Sequence, residues 1–226
     1  MSLAAVIFDF DGVILDSETP EYESHRRIYE RCGASLSVEE WCDFIGIYAE
    51  GHEERWLIRL RERVEQAPTS EEYEAERRRH FVELIPREPR RGIRELLEAL
   101  RDSDVPTAIA SSAPARWVVP AADRIGMTPL FRTIVSGSDV ARGKPAPDVY
   151  LEATRRLGVD PAWSVAIEDS GPGLASARAA GLKTVAIPHW LTERHELTGA
   201  DLRVAHAGEL TVARLATLLK PEGYVK

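Results

Sequence analysis

Lysine is nearly missing from this 226-residue chain. It stands at Lys144, Lys183, Lys220 and Lys226, and the rest of the 29 basic side chains are arginine. A compact ammonium and a planar guanidinium do different work, so an interior lysine such as Lys144 marks a place where the ammonium itself is wanted. Cysteine is as sparse: Cys32 and Cys42 are the two, too few for a disulfide framework or a zinc-spaced set, which fits a reducing cytoplasm. No apolar run nears the roughly 20 residues that span a bilayer. The leading run, Leu3 to Phe8, is too short for a signal-peptide core and is cut by Asp9. Net positive charge is lacking too. A formal charge of -8 and a pI near 5.4 argue against partners made of phosphate backbone or acidic lipid. The histidines have no metal-ligand spacing as a set. The expectation is a cytoplasmic protein, monomer or small homo-oligomer, with no nucleic-acid and no membrane partner.

What is present suits a large domain or a domain with an insertion, since 44% of the residues are hydrophobic and 29% charged. Five short apolar runs recur: "AAVIFDF", "PTAIASS", "RTIVSGS", "WSVAIED" and "KTVAIPH". Most alternate with amphipathic stretches of helix length, from "GIRELLEALRD" to "GELTVARLATLLK". This alternation predicts an α/β protein with a parallel sheet covered on both faces. Ligands of such sheets bind beyond the carboxyl ends of the strands, and polar residues collect there. Asp9 and Asp11 close the first run, Ser111 and Ser112 the second, Ser136 to Asp139 the third, and Glu168 and Asp169 the fourth. Lys144 follows the third in "ARGKPAPDVY", where Pro145 and Pro147 fix the turn. Residues 17–88 break the pattern: Glu- and Arg-rich, with aromatics at helical spacing and no strand, they predict a small helical insertion that returns at Pro86 and Pro89. The division is 1–16 and 89–226 for the α/β body and 17–88 for the all-α insertion.

"DFDGVILDS" at the start, Ser111 in "IASSAP", "GKPAPDVY" around Lys144 and "AIEDSGPG" at Glu168 and Asp169 resemble, in order, the four motifs of the haloacid dehalogenase superfamily. The match spans the α/β body, and the insertion resembles the cap of the β-phosphoglucomutase-like branch, whose members include sugar phosphatases and mutases. The resemblance implies a Rossmann-like three-layer core with a helical cap. It implies Asp9 as nucleophile toward phosphorus and Asp11 as acid/base, giving a proton to the departing oxygen and taking one from the water that cleaves the aspartyl phosphate. Gly12 permits the sharp exit of the backbone behind the pair. A carboxylate nearing a phosphate meets repulsion of about 4 kcal/mol per unit-charge pair at 4 Å and an effective dielectric near 20. The resemblance supplies the offset: Mg²⁺ held by Asp9, the Asp11 carbonyl and Asp169, with Glu168 as a further ligand or an orienter of bound water. Lys144 would hold Asp9 and phosphate together, and Ser111 with its loop N–H groups would bind phosphoryl oxygens.

Plainer readings stand beside these. Ser111 or Ser112 serves as an N-cap for the helix after Pro114, an assignment that favours Ser112, and Glu168 and Asp169 serve as an acidic helix start. Asp16 and Asp148 read as turn or cap residues. Asp11 favours phosphoryl transfer over dehalogenation, and phosphonate cleavage through a cap lysine is closed because the insertion has none. The alternative within the family is a β-phosphoglucomutase-type phosphotransferase. Where the mutase pattern has a histidine shortly after Asp16 this chain has Glu21, and where it has a loop arginine "FIGIYAEG" has Ala49 or a neighbour. Arg77 matches a basic cap position or lies on a solvated helix face, the favoured reading. Tyr48 lies in a Gly-flanked recognition loop or packs the cap. The sequence therefore reads as a Mg²⁺-dependent phosphatase of a small phosphorylated metabolite, such as a sugar phosphate. A competing class is a receiver-like phospho-acceptor domain without enzymatic activity.

Overall fold

The computed structural model describes residues 3–42, 52–193 and 197–219. Its centre is a six-stranded, all-parallel sheet of β1 (Ala5–Phe8), β2 (Thr107–Ala110), β3 (Thr133–Val135), β4 (Ser164–Glu168), β5 (Lys183–Ala186) and β6 (Leu202–Arg203), in the order β3-β2-β1-β4-β5-β6. Five of these strands are the apolar runs of the sequence. The sixth, β6, is a two-residue edge strand, half-buried then exposed, too short to leave a pattern.

Strand periodicity builds the layers. Val6, Phe8, Ile109, Val165 and Ile167 point to one face, where Leu97, Val118 and Leu215 meet them. Their neighbours Ile7, Ala108, Ala110 and Ala166 point to the other, against Val149, Ala153 and Ala177. Alanine dominates this second face, and its helices lie close to the sheet. In the structure's own sequence order the insertion contributes α1 (Glu18–Arg31), α2 (Val38–Cys42), α3 (His52–Arg61) and α4 (Ser70–Leu84). The covering helices are α5 (Ile93–Asp102), α6 (Ala115–Arg124), α7 (Asp148–Leu157), α8 (Gly171–Ala179) and α9 (Val212–Thr217). Among the described residues no helix is long and apolar enough to cross a membrane.

The insertion has a core of its own. Tyr22, Tyr29, Trp41, Trp56, Leu60 and Tyr73 form a separate apolar cluster, with Trp41 stacked on Trp56 at 4.7 Å. Leu191, from the loop after β5, joins it, fully buried and with its carbonyl accepting from Cys42 Sγ, and its neighbour Trp190 meets Tyr22 edge to face at 6.1 Å. Cys32 and Cys42 are not joined in a disulfide.

Chain order reverses between β1 and β4, and a parallel sheet opens a crevice at such a switch point. Register sets the crevice: Phe8 pairs with Ile109 on one side and Ile167 on the other, so Asp9 follows level with Ala110 and Glu168.

Candidate active site

β1 ends at Phe8, so Asp9 and Asp11 leave the sheet just beyond the strand rather than within it. Asp9 donates its backbone N–H to Ile167 O at 2.9 Å and keeps its carboxylate buried. Lys144 Nζ donates to Asp9 Oδ1 at 2.5 Å and to Glu168 Oε1 at 2.6 Å. Tyr150 OH, from the first turn of α7, donates to the same Glu168 oxygen at 2.6 Å, while Asp169 N and Ser170 Oγ lie 3.3 Å from Oε2. Glu168 thus meets donors at both oxygens, a reason for a fully buried carboxylate to sit in the motif.

Charge at this place is unbalanced. Burial, opposed by Lys144 and reinforced by Glu168 and Asp11, pushes the Asp9 carboxyl up to about 8. Burial followed by the charges of Asp9 and Glu168 raises Asp169 well above the ordinary carboxylate range. Burial works against the Lys144 ammonium too, yet the carboxylates of Asp9 and Glu168 outweigh it and hold the lysine above its usual range. Ligand oxygens of Asp9, Glu168 and Asp169 lie within 4.8 Å of one another. Three buried carboxyl groups beside one ammonium fit a hard divalent cation, which takes oxygen ligands and would relieve the repulsion.

Two glycines make the crowding possible. Gly12 has φ +79°, and a Cβ there would stand 2.2 Å from Asp169 Oδ2, so the turn after Asp11 lies directly against that carboxylate. A Cβ at Gly173 would stand 2.0 Å from Glu168 Oε2. The small residues of "GPGLASARAAG" read as a helix–sheet packing device, but at Gly173 the partner is the catalytic-end carboxylate.

Asp11 is fixed at one oxygen. Ser17 Oγ donates to Oδ1 at 2.5 Å and Trp117 Nε1 donates to the same atom at 2.9 Å. Burial raises this carboxyl above its ordinary value, against the pull of those two donors, the direction that suits a proton donor near neutrality.

Ser111 is buried, at the end of β2, and its Oγ accepts from Ala113 N at 3.0 Å. Ser112 is not the N-cap of α6. That helix starts after Pro114 with its Ala115 N–H donated to Ser138 Oγ at 3.2 Å, and Ser112 Oγ instead accepts the Lys144 backbone N–H at 3.0 Å, tying the lysine loop to the loop after β2. The Ser136–Asp139 cluster serves the fold: Ser136 and Asp139 cap one 3-10 turn, and Asp139 pairs with Arg156 at 2.6 Å. Asp16 behaves as the expected cap, accepting Thr19 N at 3.0 Å, and His189 Nε2 lies 3.0 Å from it.

In the insertion, Arg77 is not on a solvated face. Its side chain is 13% exposed, and it donates to both oxygens of Glu21 at 3.0 and 3.1 Å and to Glu74 at 2.9 Å; Arg78 and Arg79 are the exposed pair. The charge of Glu21 adds slightly to the upward shift of the Asp11 carboxyl, after burial. Tyr48 and its loop lie outside the described residues.

Sequence reasoning missed four contributors. Tyr150 was inside a recognised motif but looked like a core aromatic. Trp117 looked the same. Arg90, in the return segment, donates to the carbonyls of Gly12 and Pro188 and so stitches the loop after β1 to the loop after β5. Glu18 looked like an ordinary helix-start acid, but burial and the charges of Asp11 and Glu21 push it up to about 8.

Residues 6–187 match the family model of the haloacid dehalogenase-like hydrolases. The phosphorylated carbohydrates phosphatase of Thermotoga maritima is 33% identical, with 81% of this chain and 84% of that protein covered. The β-phosphoglucomutase of Bacillus subtilis is 29% identical, with 94% of each covered. A HAD family hydrolase of Deinococcus radiodurans, solved with bound phosphate and sodium, superposes with a TM-score of 0.76 at 29% identity, covering 97% of this chain and 98% of that one. The chain belongs to the haloacid dehalogenase-like hydrolases.

Proposed function

We propose that the protein is a Mg²⁺-dependent phosphomonoesterase acting on a small phosphorylated metabolite of the sugar-phosphate kind, through an aspartyl phosphate. The observation that carries this reading is the interlock of Asp9, Lys144 and Glu168 across β1, the β3 loop and β4. Asp9 attacks phosphorus, and the bond to the leaving oxygen breaks as that oxygen takes the Asp11 proton. Asp11, now a carboxylate, takes a proton from the water that attacks the aspartyl phosphate, and Asp9 departs as a carboxylate. Lys144 opposes the protonation that burial favours at Asp9 and meets phosphoryl charge. Ser111 and the N–H groups of its loop bind the phosphoryl oxygens. Asp9, the Asp11 carbonyl and Asp169 would hold Mg²⁺, which supplies charge neutralisation between nucleophile and phosphate. Glu168, with its donors already placed, orients Lys144 and bound water rather than coordinating directly.

Residues 17–88 act as a lid on the body formed by 1–16 and 89–226, and Glu21 and Arg77 belong to the recognition surface with the Tyr48 loop. Similarity to a carbohydrate-phosphate phosphatase supports the substrate class. Against the mutase reading stands Glu21. An acid already committed to Arg77 does not favour a second phosphate, so phosphate passes to water. Incubation with β-glucose 1-phosphate and Mg²⁺ should release inorganic phosphate or leave the substrate intact. Efficient formation of glucose 6-phosphate would place the protein on the mutase branch instead, and a panel of phosphorylated sugars and polyols would name the preferred substrate.

A further inference from the structure

We infer that Trp117 is a positioning residue for Asp11: its indole N–H reserves Oδ1, so that the acid proton is carried on Oδ2. The inference rests on the phosphotransfer reading above. A carboxyl oxygen that accepts two hydrogen bonds has both lone-pair directions engaged and cannot carry the proton as well. Asp11 Oδ1 accepts from Ser17 Oγ and from Trp117 Nε1. When Asp11 is protonated, the proton is therefore on the other oxygen, and the carboxyl plane is set by two donors from different parts of the chain.

The indole is itself held. Phe10, the residue before Asp11, meets its ring edge to face at 6.5 Å, and Phe81 of α4 meets it at 5.3 Å, again edge to face. Trp117 is thus packed by the β1 loop and by the insertion at once. Trp117 is half-buried, so water is available to its N–H, yet that donor is directed at the acid 106 residues away in the chain.

The test separates positioning from packing. Trp117→Phe keeps an aromatic ring and loses the N–H. Its kcat/KM is compared with wild type over a series of aryl phosphates from 2,4-dinitrophenyl to phenyl. Departure of dinitrophenolate needs little protonation, whereas phenolate departure needs the acid. The expected result is a loss of about ten-fold on phenyl phosphate, a fraction of the full general-acid contribution, and less than about two-fold on the dinitrophenyl ester. In an Asp11→Asn background the same change should add no further loss on phenyl phosphate. Equal loss along the series, or no loss, overturns the inference. A second arm needs no turnover: in ¹⁵N-labelled protein, the Trp117 indole resonance, identified by its disappearance in Trp117→Phe, should shift in Asp11→Ala. An unmoved resonance also overturns it. A wild-type protein inactive on the whole series would instead overturn the phosphatase reading and, with it, this role for Trp117.

Discussion

The end of the sheet and the helical insertion use the same charged residues in opposite ways. At the sheet end Asp9, Glu168 and Asp169 are buried beside Lys144, and the carboxyls of Asp9 and Asp169 are driven above their ordinary values. In the insertion acids meet arginines in pairs and small clusters at partly exposed positions, as in Arg31–Glu76, Arg63–Glu40 and Arg26–Glu23. Balanced, solvated pairs contribute little and serve the surface. Buried charge that the protein does not balance itself is costly and persists where something else completes it. At this site a phosphate and a cation would do so.

The comparison can be broken first at Lys144. Lys144→Ala leaves Asp9 and Glu168 buried without their ammonium. Steady-state kinetics should show a fall of about three orders of magnitude in kcat, and urea unfolding a stability loss of roughly 3 kcal/mol. A fully active, equally stable variant would mean the interlock is incidental. Next comes Gly173→Ala, whose added methyl would stand 2.0 Å from Glu168 Oε2. Overpacking predicts a loss of about 2 kcal/mol, with activity reduced because Glu168 holds Lys144.

In the insertion the effects should be smaller and of another kind. Arg77→Ala removes the charged donor shared by Glu21 and Glu74 and should cost about 1.5 kcal/mol in thermal or urea unfolding, and should change the ranking of substrates in a metabolite panel while aryl phosphate turnover persists. Equal loss on every substrate would place Arg77 in the chemistry or the fold. The smallest effect is expected at Glu40, which the Arg63 hydrogen bond pulls down to about 2. A carboxyl lower in the folded than in the unfolded chain adds stability above its unfolded value, and that gain fades as pH falls toward 2. Glu40→Gln should therefore be slightly less stable than wild type at neutral pH, with the difference closing in acid.

The same contrast explains what could be read from the sequence. The body announced itself because each functional side chain follows a short apolar strand, and a parallel sheet sends every such end to one edge; Asp9, Ser111, Lys144, Glu168 and Asp169 needed no register to be grouped. The residues that hold them were silent. Trp117 and Tyr150 look like core aromatics, and their polar atoms matter through partners 106 and 18 residues away. Ser112 looked like a cap because a proline and a helix follow it, but its hydroxyl is taken by the lysine loop. Arg77 looked solvated because Arg78 and Arg79 follow it, and its match with Glu21 spans 56 residues. Helical periodicity gives the insertion's class, but pairing between helices has no local signature.

The most direct test of the account is a rapid-quench comparison of wild type and Asp9→Asn with an aryl phosphate and Mg²⁺. Wild type should turn over and yield acid-trapped protein with a phosphoryl group on the peptide carrying Asp9, whereas folded Asp9→Asn should do neither. Turnover at the wild-type rate by Asp9→Asn, or a phosphoryl group trapped on another residue, would contradict it.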